Sequence, residues 1–345
     1  MQPPINTSKR VYSFPITPII PILPILPIIP IIPIPPITME KVHVIVNPFS
    51  ARGKTRARWS DIREVIKHYF HEYKYIFTEK PTHATEIARQ LLKEGFDLII
   101  GVGGDGTLNE ITNGFFKSDS REAINNDASL AIIPSGTGSD FVRFMKIPRD
   151  FRLSIQQIKN SKKRKFDVGR ITFGSPQPST YFLNVADFGL GAEVVRHISQ
   201  IPPEKRNALS YYKGLLSTIQ TYKSKKVRII IDHKEEISHR FLIGAIANGR
   251  IFGGGMQIAP QAEPDDGYFD LVLIEDMSRF EIIRNSRHLY TGNIHKHPKV
   301  TIKHARTIDV YSEDSEPINI QYDGEVGQTT PAQFQIIEKS LNFRL

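Results

Sequence analysis

The sequence predicts a two-part fold, an α/β first domain with a mostly parallel sheet followed by a β-rich, β-sandwich-like second domain. Two observations support this interpretation. In the first half, apolar strand patterns alternate with amphipathic helices, an order typical of parallel sheets covered on both faces. In the second half, short strand patterns predominate. We therefore expect domains at 39–170 and 171–345, and the last segment of the second is a candidate to return to the first.

Each element of the first domain has a local signal. The strands are apolar runs bounded by turn residues, and the helices repeat apolar residues every three or four positions. One helix has Thr82 as its expected N-cap and ends at Gly95. The predicted strands are Val42–Val46, Tyr73–Thr78, Asp97–Val102 and Leu130–Ile133, and a further helix is expected at 55–70.

The second domain is predicted from short runs that are rich in β-branched and aromatic residues. One helical stretch, about Leu209 to Tyr222, interrupts them. A strand-rich domain placed against an α/β domain leaves a cleft between the two, which is a common location for a binding site. The predicted strands are Tyr181–Ala186, Val227–Asp232, Phe241–Ala247, Phe269–Ile274, Ile308–Tyr311 and Ile318–Gln321.

The first 38 residues differ in character from the rest. Residues 11–38 carry no charge, and proline stands at every third position from Pro15 to Pro33. Prolines at this spacing exclude a transmembrane helix, because each costs roughly 3 kcal/mol in a helix interior, and they match the three-residue turn of polyproline II. We expect Met39 to be the natural start of the protein, or else residues 1–38 to form a disordered tail.

The composition excludes some chemistry and leaves other classes open. The 345-residue chain has no cysteine, which excludes disulfides, thiolate metal sites and a cysteine nucleophile. Its net charge of +9 fits either a solvated basic surface or attraction to an anionic partner, such as a nucleotide or an acidic membrane face. No nucleic-acid-binding module is recognisable, so we expect no nucleic acid partner.

A glycine-rich turn, Gly103–Thr107, follows the third predicted strand, and a helix is expected to begin near Thr107. Glycines allow the backbone to approach phosphate oxygens, and the N-terminus of the next helix offers unpaired N–H groups. A carboxylate beside a phosphate is unfavourable unless a cation is present, so Asp105 predicts bound Mg²⁺. The alternative is a tight turn in which the glycines serve only geometry.

A second turn of the same type, Pro134–Phe141, follows the fourth predicted strand. The carboxyl ends of parallel strands meet at one edge of a sheet, so the two turns are expected to lie together. Two such loops can enclose a nucleoside triphosphate, with Thr137 donating to a phosphate or to the ribose. The pair of turns therefore favours a nucleotide site over a purely structural arrangement.

These motifs resemble the catalytic domain of diacylglycerol kinases, most closely the bacterial soluble lipid kinases of that superfamily, to which sphingosine and ceramide kinases are related. NAD kinases and phosphofructokinases share the first glycine-rich loop more distantly. The resemblance covers residues 41 to about 345, and Ser139 departs from the Asn that is common in the family. The matching segments are Asn47-Pro48, Gly103–Thr107 with Asn109-Glu110, Pro134–Phe141, Ala247–Arg250, Phe252–Met256, Ala259-Pro260, Pro264–Gly267 and Tyr322–Glu325.

The resemblance implies roles for individual residues. Glu325 is expected to be the general base that deprotonates the acceptor hydroxyl. Asp105 and Asp167 are expected to share a catalytic network with Mg²⁺, to which Lys54 adds positive charge. The implied cofactor site, for ATP with Mg²⁺, consists of Asn47, Thr78, Gly103, Gly104, Asp105, Gly106, Thr107, Asn109, Glu110 and Thr137.

A second, structural Mg²⁺ site is implied in the other half of the chain. Its expected ligands are Asp266, Glu263 and a backbone carbonyl near Tyr268, since carboxylate and carbonyl oxygens suit this hard cation. The residues alone are equally consistent with a plain Asp-Gly turn at 266–267.

The function implied by the resemblance is an ATP- and Mg²⁺-dependent lipid kinase, with diacylglycerol as the expected acceptor and a sphingoid base or another lipid alcohol as the alternative. An NAD kinase would not explain the match at Asp323–Glu325. A non-catalytic lipid- or nucleotide-binding protein would have no reason to retain Asp105 and Asp167. We expect a cytoplasmic enzyme, peripheral at the inner membrane face and in contact with anionic lipid, and a homodimer is left open.

Overall fold

The computed structural model describes residues 40–136, 139–174, 179–201 and 208–345. None of the helices in these ranges is long and apolar enough to cross a membrane. The predictions made for residues 1–38 and for Thr137 lie outside the described residues.

The strands of the described ranges fall into two groups, a parallel one early in the chain and an antiparallel one later. They are β1 Val42–Val46, β2 Tyr73–Phe77, β3 Leu98–Gly103, β4 Ser129–Pro134, β5 Lys163–Phe173, β6 Thr180–Phe182, β7 Val185–Gly189, β8 Lys225–Ile231, β9 Glu235–Ala247, β10 Ile251–Phe252, β11 Met256–Gln257, β12 Phe269–Glu275, β13 Val300–Ala305, β14 Thr307–Ser312, β15 Asn319–Tyr322, β16 Glu325–Thr329 and β17 Ala332–Arg344.

Helices connect most of the early strands and interrupt the later ones. The α-helices are α1 Lys54–Tyr69, α2 His83–Lys93, α3 Asp105–Phe115, α4 Asp140–Phe144, α5 Phe151–Asn160, α6 Leu190–Ser199, α7 Ala208–Thr221, α8 Arg279–Asn285 and α9 Arg287–Thr291. Short 3-10 segments occur at Ser50–Gly53 and Ile294–Lys296.

The first four strands form a parallel sheet in the order β2–β1–β3–β4. Their side chains alternate between the two faces of the sheet. One face, with Ile45 and Ile99, packs on α2 and α3, while the other, with Val44 and Ile100, packs on α1 and α5. The prediction of a mostly parallel sheet covered on both faces is therefore confirmed.

The later strands are antiparallel and enclose a separate apolar core. Strand β9 pairs with β7, β8 and β12, and β14 pairs with β8 and β17. Phe182, Phe188, Leu271, Ile308 and Phe334 are fully buried between these strands. The β-rich second half predicted from the short strand patterns is confirmed.

Strand β17 joins the two halves. It pairs antiparallel with β14 and β5, and its residues Asn342 and Phe343 pair in parallel with Ser129 and Leu130 of β4. Phe343 is fully buried and stacks on Phe166 with 5.5 Å between ring centroids. The parallel sheet thus gains a fifth strand from the far end of the second half. The boundary near residue 170 stays a prediction, since β5 runs across it.

Two predicted elements differ from the structure for identifiable reasons. The strand expected at Tyr181–Ala186 is two strands, because the N–H groups of Leu183 and Asn184 donate to the carboxylate of Asp323. The helix expected to begin near Thr107 begins at Asp105. In the first of these, a contact distant in sequence sets the boundary.

Candidate active site

The glycine-rich turn between β3 and α3 has no room for a side chain at Gly103. A methyl group at Gly103 would lie 2.3 Å from the Thr107 Oγ1 atom. Asn47, which follows β1, donates from Nδ2 to that same hydroxyl at 3.0 Å. The N–H of Ser135, which follows β4, donates to the Gly103 carbonyl at 2.8 Å. The carboxyl ends of β1, β3 and β4 therefore meet at one edge of the sheet.

Asp105 is the first residue of α3, and its carboxylate is only partly satisfied. Its Oδ2 atom accepts the N–H of Asp140 at 2.8 Å, whereas its buried Oδ1 atom has no hydrogen-bond partner among the described residues. Burial raises the pKa of Asp105 to about 6, with further contributions from the charges of Asp140 and Asp323. A buried carboxylate oxygen without a partner fits coordination of a divalent cation.

Asp140 is a site residue to which the sequence analysis gave no role. Besides its N–H bond to Asp105, its Oδ2 atom accepts the N–H of Gly254 at 2.7 Å. Its Oδ1 atom accepts from Arg143 at 3.0 Å. Asp140 thereby joins the second predicted turn to the glycine-rich turn after β10. In the sequence, the position of Asp140 inside the Pro134–Phe141 motif is the feature that indicates a role in the site.

Glu325 lies at the start of β16, directly beside the glycine-rich turn. A methyl group at Gly106 would stand 2.9 Å from the Glu325 Oε1 atom. The preceding residues, Asp323 and Gly324, have φ of 50° and 86°, and Tyr322 pairs with Glu325. Positive φ at both central positions is what a two-residue hairpin turn requires. The structure therefore brings the carboxylates of Asp105 and Glu325 to the same turn.

The carboxylate of Asp323 fixes this hairpin in place. Its oxygens accept the N–H groups of Leu183, Asn184 and Val185 at 2.9, 2.9 and 3.2 Å, and Nδ2 of Asn109 at 3.0 Å. Burial raises the pKa of Asp323, and these four donors oppose that shift. The bond to Asn109 ties the hairpin to α3. Asp323 therefore sets the position of Glu325 relative to the glycine-rich turn.

Two residues assigned to the cofactor, Asn109 and Glu110, make hydrogen bonds within the protein. Asn109 donates to Asp323 and to the Tyr181 carbonyl, and Glu110 accepts the N–H groups of Thr82 and Ala84 at 2.9 and 3.1 Å. Glu110 therefore caps α2, which explains why the predicted cap, Thr82, makes no side-chain cap itself. Thr78 is buried after β2. The assignment of Asn109, Glu110 and Thr78 to the cofactor stays a prediction. So does the positive charge that Lys54, exposed at the start of α1, is expected to add to the Mg²⁺ network.

Asp167, on β5, accepts hydrogen bonds from two backbone N–H groups that are distant in sequence. Its Oδ2 and Oδ1 atoms accept the N–H groups of Gly267 and Lys339 at 2.7 and 2.6 Å. Burial raises the pKa of Asp167, and the nearby acids that contribute are Asp266 and Asp265. No hydrogen bond joins it to Asp105 within the described residues. The catalytic role of Asp167, through Mg²⁺ shared with Asp105, stays a prediction.

The acidic side chains of the segment expected to hold a structural Mg²⁺ each have a partner within the protein. Glu263 pairs with Arg250, Asp265 pairs with Arg164 at 2.8 Å, and the Asp266 carboxylate accepts the Tyr268 N–H at 2.9 Å. The described residues contain no cluster of three or more His, Cys, Asp or Glu suited to a metal. The ligand assignment of Asp266, Glu263 and the backbone carbonyl near Tyr268 stays a prediction.

Two polar side chains, Gln321 and Asp187, support the hairpin through hydrogen bonds. Gln321 of β15 accepts the Gly324 N–H at 3.0 Å through Oε1 and donates from Nε2 to Asp187 Oδ2 at 2.5 Å. Asp187 is fully buried on β7, and its Oδ1 atom has no hydrogen-bond partner among the described residues. Burial raises the pKa of Asp187 to about 7, although the hydrogen bonds from Gln321 and from the Ala192 N–H act to lower it.

We expect the Asp187→Asn variant to be more stable than the wild type at high pH. The raised pKa means that the folded protein holds the Asp187 proton which the unfolded chain releases near pH 4. The wild-type free energy of unfolding therefore falls as pH rises from about 4 through about 7, and the neutral amide lacks this dependence. Urea unfolding followed by circular dichroism should give a difference on the order of 4 kcal/mol at pH 8 that vanishes near pH 4. A difference independent of pH would contradict this.

The site as a whole suits one type of chemistry. A glycine-rich turn leads into a helix N-terminus, where N–H groups without helical partners bind phosphate oxygens. The carboxylate of Asp105, which has an oxygen without a hydrogen-bond partner in the described part of the chain, suits a cation. The carboxylate of Glu325 lies beside Gly106 of the same turn. These features define a nucleotide-dependent phosphotransferase.

Comparison with known proteins identifies the family. Residues 41–171 match the diacylglycerol kinase catalytic domain, and residues 184–344 match the YegS C-terminal NAD kinase beta sandwich-like domain. A diacylglycerol kinase of Staphylococcus saprophyticus is 30% identical over 86% of this chain and 92% of its own length. One from Staphylococcus aureus is 28% identical over 88% and 91%.

A solved structure agrees with these matches. The crystal structure of a Bacillus anthracis protein assigned as a diacylglycerol kinase superposes with a TM-score of 0.72 at 26% identity, covering 88% of this chain and 95% of that one. The chain belongs to the diacylglycerol kinase family. It is a lipid kinase with ATP as the phosphoryl donor, and the resemblance stated from the sequence motifs is confirmed.

Proposed function

We propose that this lipid kinase phosphorylates the hydroxyl of diacylglycerol, yielding phosphatidic acid and ADP. The observation that carries the proposal is the 2.9 Å separation between Glu325 Oε1 and the position of a methyl group at Gly106. A base at that distance from the loop reaches a hydroxyl that attacks a phosphate bound there. The names of the Staphylococcus relatives support diacylglycerol as the acceptor.

The triphosphate of ATP is proposed to lie at the start of α3. Asp105 and Gly106 are the first residues of that helix, where N–H groups lack partners within it. Asn47 orients the Thr107 hydroxyl toward this end by donating to its oxygen, which leaves the hydroxyl proton for a phosphate. Gly104 is close to the second turn, since a methyl group on it would lie 3.5 Å from Gly136 Cα.

Mg²⁺ fits the unpaired Oδ1 atom of Asp105, where it would neutralise charge on the phosphates. Asp140 fixes that carboxylate through its N–H, so the ligand is oriented before the nucleotide binds. Glu325 takes the proton of the acceptor hydroxyl. The bond from that oxygen to the γ-phosphorus forms as the bond to the β–γ bridging oxygen breaks, and ADP leaves.

The location follows from the two substrates. ATP is dissolved and diacylglycerol stays in the bilayer, so we place the enzyme at the cytoplasmic side of the inner membrane face, in peripheral contact with it. A sphingoid base or another lipid alcohol is the alternative acceptor. The homodimer left open by the sequence stays open.

The full chain should phosphorylate diacylglycerol in mixed micelles with radiolabelled ATP and Mg²⁺. Parallel reactions contain sphingosine, NAD or no acceptor. We expect phosphatidic acid only with diacylglycerol, complete loss of product on adding EDTA, and recovery when Mg²⁺ is returned in excess. Transfer to sphingosine or NAD instead would assign a different acceptor, and transfer unaffected by EDTA would contradict the role given to Asp105.

A further inference from the structure

The segment Arg279–Lys296, which contains α8 and α9, exposes large apolar side chains. Phe280 is 72% exposed, Ile283 57% and Tyr290 56%. These are three of the nine exposed large apolar side chains in the described residues, and they fall within eleven positions. We call this segment the α8–α9 surface. Side chains of this size cost free energy in water unless a partner covers them.

The exposure does not come from a poorly formed helix. Helix α8 begins with a capping box, in which Ser278 Oγ accepts the Glu281 N–H and Glu281 accepts the Ser278 N–H. Ile282 and Leu289 pack against the buried apolar cluster beneath. The helix is therefore anchored by one face and holds Phe280 and Ile283, three positions apart, on the other.

Basic residues are interspersed with the apolar ones along this segment. Residues 278–299 contain five Lys or Arg and one acidic residue, Glu281. The negative charge of Glu281 is balanced by Lys299, whose Nζ lies 3.3 Å away, and its carboxylate also accepts the Ser278 N–H. Arg284 lies over the Phe280 ring at 5.9 Å from its centroid. The exposed part of the α8–α9 surface is thus apolar and positively charged together.

We propose that the α8–α9 surface docks the enzyme on an anionic lipid bilayer. The choice of a bilayer as the partner rests on the proposed function, because the proposed acceptor is a membrane lipid. Phe280, Ile283 and Tyr290 enter the boundary between head groups and acyl chains, while Arg284 and Arg287 contact lipid phosphates. Helices with large apolar side chains on one face and Lys or Arg beside them bind bilayers in this way. The positive charge selects an anionic bilayer over a neutral apolar partner.

Co-sedimentation of the full chain with vesicles, without ATP, tests the docking. One set contains phosphatidylglycerol with phosphatidylcholine, and the other contains phosphatidylcholine alone. We expect the wild type to prefer the anionic vesicles. The double variant Phe280→Ser/Ile283→Ser should bind them at least tenfold more weakly. Arg287→Gln should weaken binding about fivefold in low salt.

Matched controls keep the test specific. Leu153→Ser changes an apolar side chain of similar exposure, 55%, on α5, and Arg121→Gln removes one exposed charge from another surface. Both should bind vesicles like the wild type. All proteins should have the same urea unfolding midpoint, since the changed side chains are exposed.

The outcomes separate docking from catalysis. Vesicle binding by Phe280→Ser/Ile283→Ser equal to that of the wild type, or equal loss in Leu153→Ser, would overturn the docking proposal whatever the kinase does. A wild type that binds neither vesicle would also overturn it and leave the surface to a protein partner. The double variant should retain wild-type kcat on a short-chain, water-soluble diacylglycerol. Absence of that activity in the wild type would count against the proposed function alone.

Discussion

Replacing Asp105 with Asn is expected to lower kcat at least a thousandfold. The amide keeps the shape of the carboxylate and can still accept the Asp140 N–H, but it removes the charge that the unpaired Oδ1 atom offers to Mg²⁺. Metal-bound charge of this kind contributes several kcal/mol to a phosphoryl-transfer transition state, and each 1.4 kcal/mol is a factor of ten. Steady-state rates at saturating Mg²⁺ and ATP measure the effect.

The fold should survive this substitution. Burial raises the pKa of Asp105 to about 6, so the ionised carboxylate is unfavourable in the folded state without its cation. Asp105→Asn should therefore unfold at no lower urea concentration than the wild type at pH 8. Asp61→Asn, an exposed position on α1, is the matched control and should keep full activity. Near-normal turnover by Asp105→Asn would refute the metal assignment.

The Glu325→Gln variant should lose 10²- to 10⁴-fold in kcat, the usual contribution of a general base. The amide cannot accept the acceptor's proton, yet it preserves the hairpin, whose position depends on Asp323 and Gln321. The KM for ATP should change little because Glu325 does not hold the nucleotide. Initial rates against ATP and diacylglycerol, from pH 5 to 9, separate the two parameters.

A control for this substitution is available in the same half of the chain. Glu316→Gln alters an exposed glutamate whose salt bridge to Lys225 is long, at 3.7 Å. It should behave as the wild type. If Glu325→Gln turned over normally while Asp105→Asn did not, the base would have to be another group, and the role of Asp105 would stand.

The parts of the site that the sequence predicted are those encoded locally. The spacing of Gly103 and Thr107 reflects a contact four residues apart, which excludes a side chain at the first position. The Asp323-Gly324 turn likewise needs positive φ within two residues. A glycine that the local backbone requires can be recognised in the sequence, as can the apolar strand before the loop. The loop and the hairpin were therefore predictable.

The remainder depends on contacts between distant segments. Glu110 caps a helix that begins 27 positions earlier, and Asp140 donates its N–H to Asp105 from 35 positions away. Asp187 supports Gln321 across 134 positions. A lone acidic residue in a strand pattern does not say which backbone amide or side chain it will meet. Only the folded sheet order brings these partners together.

The pairing of β17 with β4 has a consequence for the order in which the molecule is made. Asn342, which donates to the Ala128 carbonyl at 3.0 Å, is translated 214 positions after it. At ordinary elongation rates the ribosome needs about 10 to 40 seconds for that interval. Throughout it the parallel sheet has an uncovered edge at β4 and lacks Phe343 from its core. Until β17 emerges, the nascent first half therefore exposes an unpaired strand edge and apolar core surface, which are features that promote aggregation.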